Sequence, residues 1–148
     1  KNKEDIELVH TLGTLLASVW HSHRAATSEQ IILAPVPARA ERMTSQGFNQ
    51  AELLAKNTAR NIPESICIPN LIERTRETDK QALIHNRQER LNNLKHVFVK
   101  KQKKCDRIQD TTILIVDDVT TSGATLAEIR SVLLEAGAKD VYAITLAH

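Results

Sequence analysis

Residues 112–125 constrain the fold more than any other segment, because a strand, an acidic pair, a turn and a helix start follow one another there. The run Ile113–Val116 is apolar and mostly β-branched, as in strands that are buried on both faces of a sheet. Asp117 and Asp118 follow it directly, and apolar spacing predicts a helix over residues 124–136. This succession predicts a parallel sheet with helices packed on it.

Hydrophobic periodicity divides the rest of the chain into alternating helices and strands. Helices are predicted over residues 4–23, 49–61, 81–94 and 124–136, and strands over residues 31–34, 65–72, 97–99, 112–116 and 141–146. Pro69 interrupts the second strand, which favours a place near a sheet edge. The alternation predicts an α/β fold with a mostly parallel central sheet flanked by helices. Ligands of such sheets bind beyond the carboxyl ends of the strands, where residues 35–42 and 117–125 would lie.

The composition is that of an ordinary globular domain. The chain has 148 residues, so we expect a single domain over residues 1–148. A net charge of +2 and an aromatic content of 3% give little support to independent nucleic-acid binding. Neither a membrane-length apolar run nor a signal peptide is evident, which predicts a cytoplasmic protein without membrane association. Cys67 and Cys105 lack metal-type spacing, and we expect both to be reduced.

The acids and hydroxyl groups of the opening segment fit a cradle for a sugar phosphate. Asp117 and Asp118 can accept hydrogen bonds from a ribose diol, and a magnesium ion or another cation could neutralise their repulsion. The turn and the helix start offer hydroxyl groups, backbone amides and one glycine that permits close approach; these residues are Thr120, Thr121, Ser122, Gly123, Ala124 and Thr125. The alternative is a purely structural acidic turn with a Ser or Thr helix cap.

Three other nucleotide-binding arrangements do not fit this strand with its terminal acids. A Walker B strand needs a GxxxxGK[ST] loop, and no glycine of the chain precedes a lysine. A dinucleotide fold needs GxGxxG, and no two glycines lie two residues apart. A phosphoreceiver carries its acids early in the chain, whereas here only one predicted strand follows them.

The string from Ile113 to Thr125 resembles the phosphoribosyl-pyrophosphate (PRPP) signature of type I phosphoribosyltransferases. The resemblance implies that Asp117 and Asp118 contact the ribose 2′- and 3′-hydroxyl groups, with Mg²⁺ as the cofactor, and that residues 121–125 wrap the 5′-phosphate. Some members of that family have an acid at the position of Thr121, proposed as a base toward the nucleobase. A threonine cannot serve in this way, so no general base is identified.

Further blocks resemble the ComF/GntX competence family and extend the match from about residue 31 to the end. In chain order they are Pro35-Val36-Pro37, Gly47–Ala55, Arg74-Thr75-Arg76 with Thr78 and Gln81, and Glu89-Arg90 with Asn93 and Phe98. Members of the family usually carry an N-terminal cysteine-rich zinc ribbon, which these residues do not contain. Gln46 stands where the family often has an arginine, so a cationic contact there is not expected.

The resemblance also implies roles for two charged loops. The loop after the first strand, with Pro37 and Arg39, would meet the pyrophosphate, which an arginine fork can bind in a bidentate manner. The loop over residues 73–80 would be a catalytic flap that excludes water, and its candidate catalytic residues are Arg74, Arg76 and Lys80. Both loops could instead be ordinary solvated segments. Asn49 either caps the next helix or hydrogen-bonds the loops of the site.

These expectations leave three functions open. The first is a phosphoribosyltransferase that binds PRPP with Mg²⁺ and transfers its ribose phosphate as pyrophosphate leaves. The second is a non-catalytic module of natural transformation that binds single-stranded DNA, a helicase or a recombination protein. The third is a sensor that binds PRPP without using it.

Overall fold

A computed structural model describes residues 3–23, 29–38, 47–74, 98–100 and 107–147. The helices are α1 (Lys3–His23), α2 (Gln50–Ala59) and α3 (Ala124–Glu135). The strands are β1 (Ile31–Pro35), β2 (Ser65–Cys67), β3 (Ile72–Arg74), β4 (Phe98–Lys100), β5 (Thr112–Val119) and β6 (Asp140–Ala147). The helix predicted over residues 81–94 lies outside the described residues.

The central sheet has the strand order β2-β1-β5-β6 among the described residues, and every neighbouring pair is parallel. The chain leaves β1 through α2 to reach β2 on one side, and it leaves β5 through α3 to reach β6 on the other side. The connections therefore diverge between β1 and β5, which is the topological switch point where α/β sheets bind ligands. The predicted α/β class with a mostly parallel sheet is confirmed.

Both faces of the central sheet are covered by helices. Successive residues of an inner strand point to opposite faces, so such a strand contributes to a hydrophobic cluster on each side. Ile113 and Ile115 of β5 belong to the core cluster that contains the buried residues of α3. Leu114 and Val116 belong to the second cluster, which contains several buried residues of α1 and α2. These four side chains are at most 1% exposed, so β5 is fully enclosed up to Val116.

A small second sheet corrects one prediction. The sequence predicted one strand over residues 65–72, but β2 joins the central sheet whereas β3 pairs antiparallel with β4. Pro69 and the left-handed Asn70 (φ 58°) form the turn that separates the two strands. Arg74, predicted to lie in a loop, therefore lies in β3 opposite Phe98.

Two smaller findings concern the surface and the thiols. Among the described residues, no helix combines the length and the apolarity that crossing a membrane would require. Cys67 is a free thiol, as predicted, and its burial raises its pKa to about 11. Cys105 lies outside the described residues.

The close contact between α1 and α2 requires a glycine at position 13, because no Cβ atom fits there. A Cβ atom at this position would lie 2.7 Å from Asn57 Cβ and 2.8 Å from the Asn57 carbonyl carbon. We therefore expect Gly13→Ala to lower the unfolding temperature, because overpacking of about 1–3 kcal/mol outweighs the gain in helix propensity of about 1 kcal/mol. Thermal unfolding measures this, with Ser18→Ala on the exposed face of α1 as the control. An unfolding temperature of Gly13→Ala at or above that of the wild type would contradict the packing.

Thr58 lies at the same helix contact and is fully buried. Its hydroxyl oxygen has no hydrogen-bond partner among the described residues. Thr58→Val removes this unsatisfied group at almost constant shape, so we expect it to stabilise the protein by up to about 1 kcal/mol. The control is Thr14→Val, because the exposed Thr14 hydroxyl donates to the carbonyl oxygen of His10 at 3.1 Å. A measured loss of stability in Thr58→Val would show that the hydroxyl is satisfied in solution.

Candidate functional site

A cavity of about 430 Å³ opens at the carboxyl ends of β1 and β5. We call it the cradle. Its lining comes from the loop after β1 (36–38), the start of α2 with the residues before it (48–51), Arg74 of β3, and residues 117–125. The segments that the sequence predicted to meet beyond the strands are therefore brought together, as far as they are described.

The acid pair lies inside β5 rather than after it, which corrects the predicted end of this strand at residue 116. Asp117 pairs with Thr145 of β6, and the strand continues to Val119. The Asp117 Oδ1 accepts a hydrogen bond from the amide of Asp118 at 2.9 Å, and the Asp118 Oδ1 accepts one from the amide of Val119 at 2.9 Å. Both acids are half-buried and both line the cradle.

The turn after β5 presents the start of α3 to the cradle. Gly123 caps the helix in a left-handed conformation (φ 68°) and contributes no side-chain hydrogen bond to it. The Ser122 Oγ accepts from the amide of Ala124 at the long distance of 3.4 Å. Thr121 and Ser122 are exposed, so the turn is open to solvent. Amides of a first helical turn carry partial positive charge and bind anions.

The opposite wall joins the end of β1 to the start of α2. The amide of Val36 donates to the carbonyl oxygen of Val116 at 3.0 Å, which continues the pairing of β1 with β5. The Asn49 Nδ2 donates to the carbonyl oxygen of Val36 at 2.9 Å, and the Asn49 Oδ1 accepts from the amide of Ala51 at 3.1 Å. Two helix starts, those of α2 and α3, therefore border one cavity.

The remaining predicted residues divide into two groups. Pro37 and the half-buried Arg74 line the cradle. Arg39, Arg76 and Lys80 lie outside the described residues. Sequence reasoning missed the apolar lining residues Phe48 and Val119, which are 37% and 54% exposed. Their sequence signal was an apolar residue beside polar ones, before the predicted helix over residues 49–61 for Phe48 and after the predicted strand over residues 112–116 for Val119.

Asp117 and Asp118 supply oxygen ligands, but the described residues contain no group of three or more His, Cys, Asp or Glu side chains that could hold a metal ion. The pair alone does not enclose a cation. Mg²⁺ is usually bound by one or two carboxylates together with substrate phosphates and water. The two acids therefore fit Mg²⁺ when a phosphorylated ligand completes the coordination.

A second cavity of about 530 Å³ lies beside the cradle, between α1 and α2. Leucine side chains make up much of its lining. Phe48, Gln50 and Asp118 line both cavities, so the second cavity adjoins the cradle along these residues.

Comparison with curated proteins identifies relatives of this chain, although no family model matches it. Competence protein F of Haemophilus influenzae is 30% identical over 139 residues, which cover 93% of this chain and 58% of that protein. The DNA utilization protein YhgH of Escherichia coli O157:H7 is 35% identical over 130 residues, covering 86% and 54%. Competence protein ComFC of Bacillus subtilis is 28% identical over 147 residues, covering 99% and 55%.

Solved structures with the same fold include purine phosphoribosyltransferases. A hypoxanthine phosphoribosyltransferase from Staphylococcus aureus has a TM-score of 0.56 at 11% identity, covering 95% of this chain and 63% of that one. A hypoxanthine-guanine phosphoribosyltransferase from Bacillus anthracis has a TM-score of 0.57 at 15% identity, covering 95% and 66%. Likeness at this level of identity shows the fold.

The chain spans about half the length of the curated relatives that it matches. Within that span the sequence matches and the parallel central sheet agree with the resemblance that the motifs predicted. The chain is therefore a homologue of the competence protein F, ComFC and YhgH proteins over about half of their length, and it has the type I phosphoribosyltransferase fold.

Proposed function

We propose that the cradle binds PRPP, a ribose 5-phosphate that carries pyrophosphate, together with Mg²⁺. The observation that carries the proposal is the succession of Asp117, Asp118 and the start of α3 along one wall of one cavity. Carboxylates suit the sugar hydroxyl groups, and helix-start amides suit a phosphate. The purely structural reading of the acidic turn is less favoured, because the acids and the turn line an open cavity rather than a packed interior.

The cradle is built for a ligand with two anionic ends. The start of α3 borders one side, where the 5′-phosphate would lie against residues 121–125. The loop after β1 and the start of α2 border the other side, where Pro37 and Ala38 would face the pyrophosphate. The acid pair lines the same cavity and would hold the ribose. Free phosphate would use only one side of this arrangement.

Mg²⁺ would be held by Asp117, Asp118 and ligand oxygens, and it would supply charge neutralisation to the departing pyrophosphate. Arg74 lines the cradle and would add a cation that forks onto the same group. We propose that Arg39, Arg76 and Lys80 also place positive charge near the pyrophosphate. This role rests on the sequence resemblance. Thr121 cannot act as a general base. The role proposed for the chain's own residues is therefore to bind and orient the ligand.

The names of the relatives indicate a cellular process in which this domain could act. Those proteins are named for competence and for DNA utilization. We therefore propose that this domain acts in the use of incoming DNA, with single-stranded DNA, a helicase or a recombination protein as candidate partners. A PRPP site in such a domain would serve either transfer to an acceptor or sensing of the nucleotide supply.

Transfer and sensing are separated by a pyrophosphate-release assay with PRPP, Mg²⁺ and a panel of candidate acceptors. Release that depends on an acceptor and on Asp117 identifies a transferase. PRPP binding without release by any acceptor supports the sensor. Salt-dependent binding of single-stranded DNA by the same chain would support the DNA-binding module.

We expect Asp117→Asn and Asp118→Asn each to weaken PRPP binding by about 10- to 100-fold, the worth of a hydrogen bond to a charged group. Calorimetry in the presence of Mg²⁺ measures the binding. Asp140→Asn is the matched control, because this half-buried acid lies at the other end of the sheet, at the start of β6. Wild-type protein that does not bind PRPP would refute the proposed function.

Gly123→Ala tests the turn itself. Gly123 and Gly47 both have positive φ (68° and 72°), and a Cβ atom at either would meet no described atom within 4 Å. An alanine should therefore cost a similar stability of about 1 kcal/mol at each position, from backbone strain alone. Only Gly123 lines the cradle, so only Gly123→Ala should also weaken PRPP binding. Equal affinities of the two variants would count against a role of this turn in binding.

A further inference from the structure

The side chain of Asn49 uses both ends of its amide at the wall of the cradle opposite α3. Its Nδ2 donates to the carbonyl oxygen of Val36 at 2.9 Å, and its Oδ1 accepts from the amide of Ala51 at 3.1 Å. The second bond caps α2. The first bond reaches thirteen residues back along the chain and holds the loop after β1.

Val36 is in turn tied to the central sheet. Its amide donates to the carbonyl oxygen of Val116 at 3.0 Å, one residue before Asp117. A continuous series of hydrogen bonds therefore runs from β5, across the end of β1, to the start of α2. Val36 and Asn49 both line the cradle.

Capping alone does not require an asparagine at this position. Serine, threonine or aspartate can cap a helix equally well. An ionised aspartate only accepts hydrogen bonds, and a serine hydroxyl is too short to serve both partners. Among these capping residues, asparagine alone combines an acceptor for Ala51 with a donor that reaches Val36.

We propose that Asn49 is a positioning residue for the ligand of the cradle. It fixes the loop after β1 relative to the start of α2, so that the backbone donors of both segments address the same anionic group. The inference rests on the proposed function, in which that group is the pyrophosphate of PRPP. Asn49 acts through Val36 and α2 rather than by chemistry of its own.

Asn49→Ser separates positioning from capping, because serine retains the cap and loses the donor to Val36. Calorimetry with PRPP and Mg²⁺ at pH 7.5 should show affinity reduced by about tenfold or more. The unfolding temperature should fall by no more than that of Asn61→Ser, which loses a comparable bond. Asn61→Ser is the matched control: the Asn61 amide also donates to a carbonyl oxygen, that of Asn57, at 2.9 Å, but beyond the far end of α2.

The pH dependence of PRPP affinity in Asn49→Asp is a second measurement. A purely structural role of Asn49 would not change it. The ionised carboxylate faces the Val36 carbonyl oxygen and repels it, whereas the protonated carboxyl can donate to it. Affinity relative to the wild type should therefore recover only as the pH falls to about 4, where an aspartate takes up a proton, while Asn49→Ser should not recover. Gln50→Glu reports the effect of charge alone, because residue 50 also lines the cradle. The recovery of Asn49→Asp should exceed that of Gln50→Glu.

The outcomes separate this inference from the proposed function. A wild type that does not bind PRPP refutes both. A wild type that binds, together with an Asn49→Ser variant that binds equally well, refutes only the positioning role. Equal losses of PRPP affinity in Asn49→Ser and Asn61→Ser would also refute the positioning role. Equal recovery of affinity at low pH in Asn49→Asp and Gln50→Glu would do the same.

Discussion

The parallel pairing of β1 with β5 is the contact on which the rest of the structure depends. The two strands run in register from Ile31 opposite Thr112 to Pro35 opposite Val116, at the centre of the sheet. The chain leaves them in opposite directions, through α2 and α3, so neither of these two helices covers their carboxyl ends. The cradle is the space that this divergence leaves open, and two helix starts border it because both connections are helical.

Polarity changes along β5 at the residue where the register with β1 ends. Residues up to Val116 are buried between two hydrophobic clusters, whereas Asp117 and Asp118 are half-buried and reach the cavity. Two adjacent carboxylates in the packed part of the strand would carry a large desolvation cost. At the strand end they keep access to solvent and to ligand groups. The buried strand therefore fixes the position of the acids without enclosing them.

Much of the fold and of the site could be predicted from local pattern. The strong periodicity of α1 and α3 and the apolar run of β5 predicted these elements closely, and the acids and the turn were placed at the correct sheet edge. The errors lie where tertiary pairing overrides local pattern. One apolar stretch over residues 65–72 serves two different sheets, and pairing with β6 extends β5 through its acids to Val119. Arg74 belongs to a strand because β4, distant in sequence, pairs with it.

The sequence by itself determined the α/β class, the covered central strand and the acidic turn before α3, because each depends on residues that are neighbours along the chain. Only the tertiary structure decided which segments share the cradle. Phe48, the link from Asn49 to Val36 and the cavity between α1 and α2 all depend on groups brought together from distant positions. The spacing of residues along the chain does not predict these contacts, because they are set by how the helices pack on the sheet.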